Sequence, residues 1–352
     1  MRVLIDIGHP AHVHFFRRPA ALLRERGCEV FVTSRHKEMA TDLLDAFGIP
    51  HVPLSAMGTG SALDLFKELC ARDFRLLRIV GSWRPDVMVA IGGIFIAHAG
   101  LLGRTRSLVF YDTENATLQN ALTYPFASRV IVPRCYAAWT PRRRTLRYPG
   151  YHELAYLRPP YFTADRAIAL ANGLSADRPT YLLRLVAWHA SHDLGGRGLS
   201  WDAVRRLCGR LGEAARVLIS SEAALPDDLR PYGYAGDPAQ IHHVMGHCAG
   251  FFGESATMAS ECAVLGVPSV YAARTGRGYT DEQERRYGLV RNVRKLDPAA
   301  LDDAVEWLLG FSATDAQARR QRLLDDTCDV ADFVVQAIEA RGELDACAVR
   351  ST

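Results

Sequence analysis

The richest chemistry in this chain sits in Phe251-Phe252-Gly253-Glu254-Ser255-Ala256-Thr257-Met258-Ala259-Ser260-Glu261, which closes on Leu265-Gly266-Val267-Pro268. An apolar strand ending at Gly253 and a helix opening near Ser255 leave first-turn amides without intrahelical acceptors. Those amides, the helix dipole and the small residues Gly253, Ser255, Ala256 and Thr257 make an anion site suited to a diphosphate. The Ser255 and Thr257 hydroxyls add donors. Glu261 comes six residues after Ser255, about 1.7 turns and roughly 9 Å along the axis. A carboxylate there can accept both hydroxyls of a ribose joined to that diphosphate. The plainer alternative is that Ser255 only caps the helix and Glu261 is a solvated surface acid.

Three further groups are candidates. His9, His12 and His14 lie in the stretch after the first strand, and imidazole titrates near neutrality, as a general base should. His12 is the first candidate base and His14 the second; simple hydrogen bonding is the alternative. A metal site is disfavoured because no acid is adjacent. Asp112 and Glu114 follow an apolar run, and alternate positions on an extended stretch would point both carboxylates one way, for acid/base work or hydroxyl recognition. Turn capping is the alternative. Arg184, Trp188, His189, His192 and Asp193 precede Gly195-Gly196-Arg197-Gly198, and these donors suit the charge on a departing diphosphate. Glu222 follows another strand, as ligand contact or surface acid, and Arg274 to Gln283 offers polar groups for sugar hydroxyls.

Alternating strands and helices must position these groups. Strands are expected at 3–7, 29–33, 51–54, 86–91, 107–111 and 129–132, with helices at 15–26, 37–47, 62–82, 94–102 and 117–127. Such alternation means a parallel sheet covered on both faces, with Gly92-Gly93 at its ligand edge. Residues 133–162 hold Pro133, Pro141, Pro149, Pro159, Pro160 and the run Arg142-Arg143-Arg144, and mark a domain junction. The arginines read as a solvated loop, with an acidic ligand or an anionic membrane as the other reading. Strands at 180–186, 216–220, 249–252 and 267–272 then alternate with helices at 201–211, 238–248, 256–265, 280–287 and 298–309. The domains expected are 1–145, a linker at 146–162, 163–330, and a helical tail at 331–352; the helical stretch 314–341, rich in Arg and Asp, could pack back across the first domain.

The 352 residues suit two cores. With 49% hydrophobic and 23% charged residues and a formal charge of +3, the chain reads as a globular protein without a nucleic-acid partner. Eight cysteines without a Cys-x-x-Cys pair read as buried free thiols in a reducing compartment. No signal-peptide core or apolar run of the ~18 residues that span a bilayer is visible, so the expectation is a cytoplasmic protein, with peripheral membrane contact open.

The Ser255 segment resembles the donor-nucleotide signature of GT-B proteins, notably UDP-N-acetylglucosamine 2-epimerases and the glucosaminyltransferase that forms lipid II. In those families a small-residue turn holds the diphosphate and a glutamate five residues before the Gly of Gly-x-Pro binds ribose, the spacing of Glu261 and Gly266. Uracil lies against the backbone ahead of the preceding helix, here Gly236 to Pro238. Nearly the whole chain also resembles a prokaryotic family catalogued as domain of unknown function 354 and grouped with GT-B proteins. Ile7 to Phe16, Asp112 to Glu114, Gln119 to Thr123, Gly150 to Leu157, Trp188 to Asp193 and Ser220 to Glu222 carry it.

The resemblance implies a GT-B-like α/β fold, two Rossmann-like doubly wound parallel-sheet domains facing a central cleft. It implies a UDP-linked sugar donor, no separate cofactor, and an acceptor that is a sugar, a lipid-linked molecule or a small molecule. In GT-B enzymes the first loop faces the acceptor and a His or Asp in it acts as base. The 2-epimerases carry a His-rich word near Gly-Arg-Gly that maps to His189 or His192 with a one-residue gap. Glu114 matches one epimerase acid, but Gly92-Gly93 and Thr117 or Leu118 stand where two others are expected. The first reading is therefore an inverting, metal-independent glycosyltransferase of polysaccharide, glycolipid or glycosylated-metabolite synthesis. An epimerase-like enzyme and a non-catalytic binding module follow.

Overall fold

The computed structural model describes residues 1–36, 38–56, 62–186 and 198–344. It divides into two compact units, Met1–Tyr156 with the segment from Thr327 onward, and Leu157–Asp326.

The first unit is a seven-stranded parallel sheet in the order β3-β2-β1-β4-β5-β6-β7. Its strands are β1 (Arg2–Ile7), β2 (Glu29–His36), β3 (Val52–Ala56), β4 (Val87–Ile91), β5 (Arg106–Phe110), β6 (Arg129–Pro133) and β7 (Thr145–Tyr148). Helices α1 (Pro10–Glu25), α2 (Glu38–Ala46), α3 (Ala62–Trp83), α4 (Ile94–Gly103), α5 (Thr117–Thr123) and α6 (Leu154–Leu157) follow the strands in turn. Val3, Leu4, Ile5, Val87, Met88 and Val89 are wholly buried, as strands covered on both faces require. The strand order reverses between β1 and β4, and at such a switch point the strand ends splay to leave a crevice.

The second unit holds α7 (Arg166–Ala171), β8 (Thr180–Leu185), α8 (Trp201–Gly212), β9 (Arg216–Ser221), α9 (Ile241–Met245), β10 (Gly250–Gly253), α10 (Ala256–Leu265), β11 (Ser269–Ala272), α11 (Gly278–Glu282), β12 (Val290–Val293), α12 (Pro298–Leu309) and α13 (Ala313–Asp325). Its parallel order β12-β11-β10-β8-β9 puts the switch point between β8 and β10. The last helix, α14 (Val330–Glu339), belongs to the first unit, where Arg26 on the turn after α1 pairs with Asp332 at 2.6 Å and Glu339 at 2.9 Å. Of the stretch 314–341, α14 thus lies with the first unit, whereas α13 belongs to the second.

Four expectations change. The first helix begins at Pro10, not residue 15, because proline is preorganised for the first helical position and His9 Nδ1 accepts the Ala11 amide at 3.2 Å. His12 and His14 therefore sit on a helix rather than in a loop. Residues 145–148 of the expected junction form β7, and the units change over at Tyr156–Leu157 and again at Asp326–Thr327. The expected helix at 238–248 is a 3-10 turn over Pro238–Gln240 followed by the short α9. Helix α7 and strand β12 were not expected. Among the described residues no helix is long and apolar enough to cross a membrane.

Candidate functional site

At the first switch point, β1 and β4 end beside a cavity of about 400 Å³ lined by Asp6, His12, Arg35, Arg72, Phe95 and Gln119 among others. Asp6 and Arg72 are 5% and 2% exposed and form an ion pair of 2.9 Å and 3.1 Å. Thr33 also donates to Asp6 at 2.7 Å, and the Arg72 guanidinium lies 4.3 Å over the Phe95 ring. Two buried charges are stable together only with such hydrogen bonding. Gly92 and Gly93 turn the chain from β4 into α4 with φ of 78° and 46°, where side-chain-bearing residues are strained. Tyr111 and Thr123 donate to the Gly92 carbonyl and fix the turn.

His12 is partly open to this cavity. Burial, with help from His9, His152 and Arg72 and against the pull of Asp112, holds its pKa down at about 3. The ring is therefore neutral, and it does not titrate near neutrality as expected of it from the sequence, because burial disfavours its charged form. The Gly8 amide donates to Nδ1 at 3.3 Å, which assigns the ring proton to Nε2. His14, two residues on and so on the opposite helix face, stacks on Tyr156 at 5.3 Å and meets Phe47 edge-on at 5.7 Å. It packs the interior and does not line the cavity.

Asp112 pairs with His152 Nδ1 at 3.2 Å and accepts from Thr113 at 3.0 Å. Burial works to raise this carboxyl, but the charge and hydrogen bond of His152 outweigh it and bring the pKa to about 2. His152 is itself 5% exposed, with its ring 4.4 Å from that of Phe15 and its Nε2 buried and, among the described residues, without a hydrogen-bond partner. Sequence reasoning missed this histidine. Its only signal was its place in the family word Gly150 to Leu157.

Asp112 and Glu114 do not share one direction. The chain leaves β5 at Phe110 and Glu114 sits in a turn, so strand alternation does not apply. Glu114 accepts the Ala137 amide at 3.4 Å and lines a second cavity of about 480 Å³ on the other face of α5, with Asn120, Tyr124 and Trp139.

At the second switch point, Ser255 caps α10 by accepting the Met258 amide at 3.3 Å. Among the described residues, the amides of Ala256 and Thr257 have no acceptor. Ser255 and Thr257 are half-buried and Ala256 is buried. Gly253 is required by packing, since a Cβ there would stand 2.5 Å from the Arg184 carbonyl oxygen. Arg184 donates to Ser220 at 2.8 Å and pairs with Glu222, so these two predicted residues meet at the ends of β8 and β9.

Glu261 is 5% exposed and not a solvated surface acid. Its carboxylate is 2.9 Å from His242 Nε2 on α9, a partner the sequence did not suggest. That bond ties Glu261 to the segment just after Gly236, which is wedged between the Tyr234 ring and the Asn172 carbonyl. Glu254, also buried, accepts the amides of Val186 at 2.9 Å and Leu199 at 2.6 Å. It staples the two flanks of the segment carrying His189 and His192, which lie outside the described residues. Among the described residues, no three His, Cys, Asp or Glu side chains are grouped to hold a metal ion.

The model of a protein family described as "Protein of unknown function (DUF354)" matches residues 1–338. The chain belongs to that family. A curated relative of this DUF354 protein, an uncharacterized protein of Methanocaldococcus jannaschii, is 22% identical over 189 residues, which are 52% of this chain and 55% of the relative. The chain thus spans about half the length of that relative. Among solved structures, the M. jannaschii UDP-GlcNAc 2-epimerase in complex with UDP-GlcNAc and UDP superposes with a TM-score of 0.68 at 11% identity, covering 96% of this chain and 99% of that one. The glycotransferase of kitacinnamycin superposes with a TM-score of 0.64 at 14% identity, covering 97% and 98%. At these identities the likeness defines the fold: the DUF354 chain is GT-B-like, with two doubly wound parallel units.

Proposed function

We propose that this protein is a nucleotide-sugar-dependent glycosyltransferase, inverting at the anomeric carbon and needing neither metal nor further cofactor. The observation that carries this reading is the open first turn of α10 with Glu261 buried behind it and held by His242. The amides of Ala256 and Thr257, the Ser255 hydroxyl and the helix dipole bind the diphosphate of a UDP-linked donor. Glu261 takes the ribose hydroxyls, and the backbone from Gly236 lies against the base. As the bond from the anomeric carbon to the diphosphate breaks, negative charge grows on the leaving oxygen, where preorganised donors count most. Arg184, His189 and His192 are the side chains proposed to add to that set.

The acceptor hydroxyl gives its proton to the cluster of His12, Asp112 and His152. Asp112 is ionised, and its negative charge favours proton uptake by His12. His12 meets the acceptor, because it lines the cavity, and Asp112 stabilises the imidazolium as it forms. The long Gly8 contact to Nδ1 is the bond given up when the ring changes tautomer. The Asp112–His152 pair also favours a second reading, elimination of UDP with a proton moved at C2 of the sugar.

Incubation with a panel of nucleotide-sugars, with and without candidate acceptors, tests both. Acceptor-dependent release of nucleoside diphosphate supports transfer. Acceptor-independent change of the sugar, or release of a glycal, supports elimination. Binding without turnover refutes both.

A further inference from the structure

Large exposed apolar side chains are concentrated on one face of the first unit. On α5 and the turn after it, Leu118, Leu122 and Phe126 recur every four residues as a ridge, 74%, 37% and 39% exposed. Beside it, the end of α4 presents Leu101 and Leu102, 59% and 68% exposed. Phe74 on α3 and Trp139 in the loop after β6 extend the face at either side.

These elements form one surface because His98 clamps three helices. Its Nδ1 pairs with Asp73 of α3 at 3.0 Å, its Nε2 lies 3.1 Å from the Leu122 carbonyl of α5, and its ring meets Phe126 at 5.2 Å. Leu101 and Leu102 follow His98 by three and four residues and so share its side of α4. Trp139 joins through the Tyr124 ring, and Arg144 donates to the Pro125 and Ala127 carbonyls at 3.0 Å each.

The rim is basic. Arg78 lies one turn after Phe74, Arg104 lies two residues after Leu102, and Arg142 and Arg143 stand beside the Arg144 brace, these four all exposed. The described acidic side chain of these three helices, Asp73, is committed to His98. Apolar side chains ringed by arginine, with an exposed tryptophan, match a bilayer interface, where the rings and stems sit at headgroup depth and the cations meet anionic lipid. A second copy fits worse, since a two-fold contact of this face would set its arginines against one another. We infer that this face docks the protein onto an anionic lipid bilayer, lying on the membrane without spanning it.

The inference is independent of the nucleotide-sugar reading, because its test uses no nucleotide. Full-length protein is floated with vesicles of phosphatidylcholine alone and of phosphatidylcholine mixed with phosphatidylglycerol. The expected result is binding to the anionic vesicles only, weakened on the order of twentyfold by R142Q/R143Q and by at least about tenfold in L101E/L102E. All four positions are on the surface, and an unchanged melting temperature confirms that the variants fold. Flotation with neither vesicle, or binding that both variants retain, overturns the inference. So does a dimer that L101E/L102E dissociates in a protein that ignores vesicles, which would assign the face to self-association.

Discussion

His12 should make the protein selectively sensitive to mild acid. The folded ring resists protonation until about pH 3, whereas the ordinary imidazole takes up its proton at 6.5. Between those values the unfolded chain binds more protons, so stability falls as pH drops through the window. Each pH unit is worth about 1.4 kcal/mol, so the step from neutrality to pH 5 removes about 2 kcal/mol, a ceiling that solvent entering the cavity lowers somewhat. Asp112, whose carboxyl is held at about 2 against an ordinary 3.8, contributes its own loss only at lower pH and leaves this range clean. H12Q removes the titrating ring and keeps a polar side chain of similar reach. Urea unfolding of both proteins at several pH values, followed through the transition of the unit that carries α1, should show the wild type losing about 2 kcal/mol more than H12Q. Parallel stability curves would refute the neutral His12 and the cluster built around it.

R72M should strand the Asp6 carboxylate in the sheet end and cost about 3–5 kcal/mol in urea unfolding. D6N/R72M should cost markedly less than the two single changes together. Additive effects would mean that the pair is not coupled. G253A should lower stability by about 1–3 kcal/mol, because the new methyl meets Arg184 backbone rather than a flexible side chain. A thermal melt unchanged from wild type would contradict the close approach of β10 to β8.

The sequence and the structure agree best where local signals act alone. Helix α10 runs over Ala256–Leu265 as its Ser cap and αL Gly266 dictate, and α12 over Pro298–Leu309 follows from Asp297 and Pro298. Strand β7 was illegible because Pro141, three arginines and Pro149 surround four residues that become a strand only by pairing with β6. Strand β12, Val-Arg-Asn-Val, is short and half polar, and its pairing with β11 decides it. The switch points were legible as glycine turns after strands, at Gly92 and Gly253. The partners found there were not. Asp6 meets Arg72 across 66 positions and Glu261 meets His242 across 19, distances in sequence over which no spacing rule operates. His14 was misplaced for a local reason, since an unrecognised helix start at Pro10 turned a loop residue into an inward-facing one.

The most direct test of the account is a crystal structure with UDP soaked in, read beside a calorimetric titration of wild type and E261A. The account predicts the diphosphate on the amides of Ala256 and Thr257, the ribose hydroxyls on Glu261, and affinity that E261A abolishes while the fold persists. A nucleotide bound elsewhere, or equal affinity in the two proteins, would contradict it.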